Sequence, residues 1–330
     1  MTRPARIPVV IISGGLGSGK TTLLNRLLRA GGRHGVVVND FGAVNIDALL
    51  VTGHVDAAKA ISGGCLCCIA DASELDEALE TLADPRLGLD SILVEASGIA
   101  DPRALARMVL ASAAPGVRFG GVVHLVDAAR PVEPDHARVA SLLVVNKCDL
   151  ADPARAVAEV RAVAPTVPIV ETVDAAVDPA LVLDVAEGSG PLDGEADQLS
   201  FAALYDAPPA HAHHESASLE TAAPVHPHRL FALLEAPLPG VARVKGVVHV
   251  GPPDAAGRFV VQRVGTWVGI ERVRWDADEP PRTSLVAIGA GIDRVALEAA
   301  LAEVVRRDDD PPLRRDDLLG LRRFAAASRR

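Results

Sequence analysis

The chain has 330 residues, long enough for about two domains of roughly 150 residues, each with a sizeable core. Apolar residues at 49% and charged residues at 23% exclude a wholly disordered chain. A formal charge of −10 and only 3% aromatics argue against a nucleic-acid reader.

No apolar run approaches the ~20 residues of a membrane helix. The run at 7–12 is too short for the core of a secretory signal. Four cysteines do not make a secreted disulfide framework. The expectation is a soluble, cytoplasmic protein. The first half alternates β-branched runs with helical stretches. Strands are expected at 7–12, 36–38, 91–94, 122–126, 142–145 and 167–170, apolar on both faces as buried parallel strands are. Helices are expected at 21–30 and at 71–82, the latter capped by Asp71 or Ser73. Two more open at Asp101-Pro102 and Asp152-Pro153, each an N-cap acid followed by proline at the first helical position. This alternation predicts a doubly wound α/β domain over 1–186. Residues 187–227 read as a linker, first rich in Gly, Asp and Ser, then in histidine (His211, His213, His214, His226). From 228 to 330 the pattern restarts as a smaller α+β domain. It holds a helix at 228–234, strands at 243–250, 258–268 and 283–288, and a helix at 292–306. The tail from 308 reads as a short helix with a frayed end.

Ser13 to Thr22 contains G-x-x-x-x-G-K-T between a predicted strand and a predicted helix, the context a P-loop requires. Gly14, Gly15, Gly17 and Gly19, with Ser18 between them, let backbone N–H groups fold around phosphate oxygens, and the helix N-terminus adds positive charge. Lys20 is placed to reach the β- and γ-phosphates, and Thr21 to offer its hydroxyl to Mg²⁺. Asn146-Lys147-Cys148-Asp149 follows a later apolar strand. A carboxylate at Asp149 can accept from both N1–H and the 2-amino group of guanine, a donor pair adenine lacks. The bland alternative is an acid capping the next helix. Val94-Glu95-Ala96-Ser97-Gly98 lies between these motifs at another strand end. Glu95 can hold Mg²⁺ or its water, and the Gly98 N–H can sense a γ-phosphate. Ile99 stands where a water-positioning glutamine would be useful, so slow intrinsic hydrolysis is expected.

Gly63-Gly64-Cys65-Leu66-Cys67-Cys68 is a second concentration of chemistry. Thiolates are soft ligands suited to Zn²⁺ and similar ions. Cys65 and Cys67 can chelate one ion, Cys68 can add a bond, and a fourth position stays open. The alternatives are small buried hydrophobes or a redox pair. After the strand at 36–38, Asp40 and Asp47 occupy a switch-like loop, where they are either metal contacts or ordinary turn acids. The histidine tract suits an exchangeable metal-loading segment or a solvated linker.

In this order G-G-L-G-S-G-K-T-T, V-N-D-F-G, G-G-C-L-C-C, V-E-A-S-G-I-A-D-P, N-K-C-D, the His-rich linker and R-V-K-G at 243–246 extend from residue 8 to about 306. The chain resembles the CobW-like GTPases, the cobalamin-synthesis-protein-like metallochaperones. The resemblance implies a P-loop NTPase doubly wound parallel sheet followed by a small α+β C-terminal domain. It also implies Mg²⁺-dependent GTP hydrolysis that gates a Zn²⁺ or Co²⁺ site and delivers the ion to a client protein. Gly14 to Thr22 match the phosphate cradle, with Lys20, Thr21 and Glu95 the residues of the reaction. Asn146, Lys147 and Asp149 match the guanine motif, and Cys65, Cys67 and Cys68 the metal motif. Asp40 stands where the family usually carries Glu, and Ala43 where many members carry a second Glu. The expected partner is a client metalloprotein, with neither nucleic acid nor membrane, and a homodimer is compatible with the pattern. The competing reading is a metal buffer or sensor with regulatory nucleotide and negligible turnover.

Overall fold

The computed structural model describes residues 6–38, 50–52, 59–60, 72–98, 100–183, 215–251, 257–273, 280–307, 309–311, 313 and 317. The first domain is built on an eight-stranded sheet. Six strands run parallel: β1 (Ile7–Gly14), β2 (His34–Val38), β5 (Ser91–Glu95), β6 (Val117–Asp127), β7 (Leu142–Asn146) and β8 (Ile169–Thr172), in the order β2-β5-β1-β6-β7-β8. Two short antiparallel strands not read from the sequence, β3 (Leu50–Thr52) and β4 (Lys59–Ala60), extend the β2 edge.

The period of two along each strand sorts the core into two layers. Val9 and Ile11 of β1 face α2 (Ala72–Leu82) and α3 (Pro102–Ala111). Val10 and Ile12 face α1 (Lys20–Arg29) and α6 (Pro179–Val182). Leu143 and Val145 of β7 pack under α4 (Pro134–Ala137) and α5 (Ala154–Val163). Both faces are therefore covered, which is why these strands carry continuous apolar runs. Asp101 caps α3 by accepting from the Arg103 N–H at 2.9 Å, with Pro102 at the first position, as its sequence predicts. Asp152 accepts from the Ala154 N–H at 3.0 Å, and α5 begins at Ala154, one residue after the Pro153 start that the proline signal predicts.

The second domain is a five-stranded antiparallel sheet, β12-β11-β10-β13-β9, with two helices. Its elements are β9 (Glu215–Thr221), α7 (Pro227–Glu235), β10 (Val241–Val250), β11 (Gly257–Val264), β12 (Trp267–Val273), β13 (Thr283–Gly289) and α8 (Arg294–Ala302). Three sequence expectations are corrected here. Residues 215–221, read as linker, are the edge strand β9 on β13, polar because one face is open to water. The single strand expected at 258–268 is a hairpin. Val264 pairs with Trp267 across a two-residue turn, and Gly265 at φ +58° supplies its left-handed position. The helix expected to run to 306 ends at Ala302, because Val305 turns to bridge Val225. The loop at 187–200, His211, His213, His214 and most of the tail lie outside the described residues.

The two domains are stitched together through backbone. Arg243, 4% exposed, donates Nη2 to the Gly120 carbonyl at 2.8 Å and to the Val182 carbonyl. Trp267 packs on the α2–α3 layer, and Ile288 and Ala290 join the α1–α6 layer.

Candidate nucleotide site

β1 is the central strand at which the connections diverge, α1 leading to one side of the sheet, so the crevice beyond its carboxyl end is the expected ligand position. The P-loop residues sit there, between the end of β1 and the start of α1. Gly19 caps α1 in the left-handed region at φ +109°, and a Cβ there would collide with the Asn146 amide. Lys20 is buried and donates Nζ to the Gly14 and Gly15 carbonyls, both at 3.0 Å, lying back over its own loop. The Thr21 hydroxyl donates to Glu95 Oε1 at 2.7 Å. Glu95 reaches this position because β5 pairs with β1 in parallel, placing it opposite Ile12. Gly98 closes over the loop. A Cβ on it would stand 3.0 Å from the backbone of Leu16 and 3.3 Å from Lys20 Nζ.

The guanine-type motif closes the other side. Asn146, 2% exposed, donates Nδ2 to the Ser18 carbonyl at 2.8 Å and accepts from the Ala175 N–H at 2.8 Å. It ties the phosphate loop to the turn after β8. Lys147 sits at φ +65°, a strained region for a side-chain-bearing residue and one that clusters at functional sites. Its Nζ donates to Asp127 Oδ2 at 2.7 Å. Asp149 is exposed. Burial alone would raise the Asp127 carboxyl. The Lys147 hydrogen bond and charge, the Ala129 N–H and nearby Arg130 outweigh it and hold that group below its ordinary value.

Three further residues were not singled out by sequence. Asp127 ends β6 beside Asn146, and an acid closing an apolar strand at the carboxyl edge of the sheet is the signal that would have found it. Arg130 donates Nη1 to the Leu16 carbonyl at 3.2 Å. His124, 3% exposed, lies behind the loop with Nδ1 2.8 Å from Ser13 Oγ and its ring 5.8 Å from His136. Burial, then the charges of His136 and Lys20, pull its pKa down to about 4.

The donor set fits a magnesium–nucleotide complex. Thr21 and Glu95 offer hard oxygens side by side, as Mg²⁺ prefers. Ser18 Oγ is buried with no hydrogen-bond partner among the described residues. Gly15, Leu16 and Gly17 are exposed at its mouth. Cys65, Cys67, Cys68 and Asp40 lie outside the described residues. Among the described residues no three His, Cys, Asp or Glu side chains form a metal-holding group.

A P-loop at the switch point of a parallel sheet, with an acid at the neighbouring strand end and N-K-x-D two strands away, defines a nucleotide-binding protein of the P-loop class. The chain belongs to the CobW family. Residues 8–171 match the CobW/HypB/UreG nucleotide-binding domain, and residues 214–305 match the cobalamin synthesis protein cobW C-terminal domain. It is 31% identical over 352 residues to the zinc chaperone CobW of Pseudomonas aeruginosa, covering 89% of this chain and 90% of that protein. Against the zinc chaperone CobW of a Sinorhizobium species it is 28% identical, covering 91% and 98%. It is 36% identical over 118 residues to the zinc-regulated GTPase metalloprotein activator 1 of Dictyostelium discoideum, covering 31% of this chain and 24% of that one. Among the described residues no helix is long and apolar enough to cross a membrane.

Proposed function

We propose that this chain is a GTP-hydrolysing metallochaperone that takes up Zn²⁺ or Co²⁺ as cargo at Cys65, Cys67 and Cys68 in its GTP-bound state and passes the ion to a client protein. The observation that carries the hydrolytic half is the Thr21–Glu95 contact at 2.7 Å beside Lys20. Thr21 and Glu95 would hold Mg²⁺, which would supply positive charge to offset the negative charge developing on the phosphates. Lys20 exchanges the Gly14 and Gly15 carbonyls for phosphate oxygens. Gly98, packed on Leu16, brings the switch backbone against the phosphate loop. Asp149, presented beyond the left-handed Lys147, accepts from the guanine edge. Asn146 joins the base side of the site to the phosphate side through Ser18.

The metal half rests on the thiolate cluster in the sequence and on the relatives named as zinc chaperones, which favour Zn²⁺ as the first cargo to test. Cys65 and Cys67 chelate the ion, Cys68 adds a third bond, and the fourth position, left open for transfer, takes Asp40 or water. The deciding experiment is chelator competition for Zn²⁺ and Co²⁺ with Mg²⁺ and GTP, with Mg²⁺ and GDP, and without nucleotide, in the parent and in Cys67→Ala. GTP alone is expected to raise affinity by about 5–150-fold, a coupling of ~1–3 kcal/mol, and Cys67→Ala to abolish the gain. Equal affinities in the three states would leave a metal buffer with an uncoupled nucleotide site.

A further inference from the structure

A cleft of about 430 Å³ opens at the seam of the two domains, and none of its lining residues belongs to the phosphate loop, Glu95 or the guanine motif. Its volume lies in the range of small-molecule sites, roughly 300–1,000 Å³. Four arginines, Arg103, Arg107, Arg138 and Arg263, line it with a single acid, Asp135. That acid is shared, 3.2 Å from Arg103 and 2.9 Å from Arg138, and Arg103 also pairs with Asp101 at 3.1 Å, so four guanidiniums meet two carboxylates and positive charge is in excess.

Arg263 differs from the other three. It occupies a position of β11 in phase with Phe259 and Val261, which face the core of the second domain, and it is only 7% exposed. Its Nε donates to the Gly265 carbonyl at 2.9 Å, whereas Nη1 is buried with no hydrogen-bond partner among the described residues. Burial lowers its pKa, yet a guanidinium keeps its proton at neutral pH. A buried charged donor lacking an acceptor in the chain is open to one from outside it, water or a ligand group. Alongside, Phe119 and Trp267 stand edge to face with centroids 6.0 Å apart, and Leu238 adds an apolar wall. A cationic end and an aromatic side in one cleft match the two halves of an amphipathic anion.

We propose that this interdomain cleft binds a small organic anion, its carboxylate or phosphate head on Arg263 and its flat apolar body against Trp267 and Phe119. Trp267 reports on the site directly. The test uses the full chain with Trp275→Phe, so that Trp267 is the one remaining tryptophan. Saturating Mg²⁺ and GDP fill the nucleotide site and keep anions out of it. Benzoate and phenyl phosphate are titrated against Trp267 fluorescence, with benzyl alcohol as the neutral comparator. At least one anion is expected to give a saturable change roughly tenfold tighter than benzyl alcohol, and about tenfold weaker in Arg263→Met, because a charge-assisted contact is lost. The tighter anion identifies the head group. An equal response to benzyl alcohol, or no saturable response to either anion, would overturn the proposal. Should Arg263→Met fail to fold, the comparison of anion with alcohol on the parent decides the matter alone.

Discussion

Thr21 and Glu95 are 74 positions apart in sequence and 2.7 Å apart in space, joined because β5 lies beside β1 in parallel. Replacing Glu95 with Gln keeps an acceptor for the Thr21 hydroxyl but removes the charge proposed to hold Mg²⁺. Phosphate release should fall about 10–100-fold while GDP affinity stays within a few fold. An unchanged rate would take Glu95 out of the reaction. His124 makes a different prediction. Its pKa is pulled from an ordinary value near 6.5 to about 4, so the folded chain binds fewer protons than the unfolded chain between those values. Its contribution to stability is therefore present above pH ~6.5 and is lost as pH falls toward 4, by up to about 3 kcal/mol. Urea unfolding from pH 7 to 5 should show a steeper loss in the parent than in His124→Asn, and parallel curves would refute the assignment. These two residues also show what can be read from sequence. Glu95, the P-loop and N-K-x-D announce themselves because phosphate, Mg²⁺ and guanine each demand fixed residue types at fixed spacing from a strand. His124, Asp127 and Arg130 carry no such spacing. Their roles arise from which strands lie side by side.

At the scale of elements, the same distinction separates what is local from what is tertiary. The parallel strands and their covering helices follow from apolar runs, caps and prolines, all contained within a few residues. The hairpin at Gly265-Thr266 is not apparent from hydropathy, because Val264 and Trp267 are apolar on both sides of the turn. β9 reads as a linker in the sequence because an edge strand with polar alternation next to a histidine tract carries no apolar run. Arg243 is the most consequential of these elements' residues. The motif R-V-K-G marks it, but only the fold shows its guanidinium bonded to the carbonyls of Gly120 and Val182 in the other domain. Arg243→Ala would leave both carbonyls buried at the seam without that donor and open a void beside β6. A loss of about 2–4 kcal/mol is expected in urea unfolding. It should be accompanied by separation of the two domains' transitions. A single transition at the parent midpoint would show that the seam is held by apolar packing alone.

For the whole molecule, the question is how a nucleotide in the crevice of β1 could be felt by thiolates far along the chain. β2 ends at Val38, in register with Glu95. The segment beyond it carries Asp40, returns to the sheet edge at β3 and β4, and then carries the three cysteines before α2. Whatever positions Glu95 therefore acts where that segment begins, and Gly98 lies against the phosphate loop on the same side of the motif. If GTP and the metal favour one arrangement of this region, linkage requires each to strengthen the other by an equal factor, about 5–150-fold for a coupling of ~1–3 kcal/mol. The size of the factor is what the prediction commits to, since its equality in the two directions is an identity that checks the measurements. Affinity for a non-hydrolysable GTP analogue is measured with and without one equivalent of Zn²⁺, and affinity for Zn²⁺ with and without the analogue. Ratios above about five would show that the two sites are energetically coupled. Ratios of one in both directions would mean that the cysteines and the phosphate loop share a chain but not an equilibrium. Where the ratios exceed one, Cys67→Ala should bind the analogue as the parent does without zinc whether or not the ion is present, which separates loss of coupling from damage to the nucleotide site.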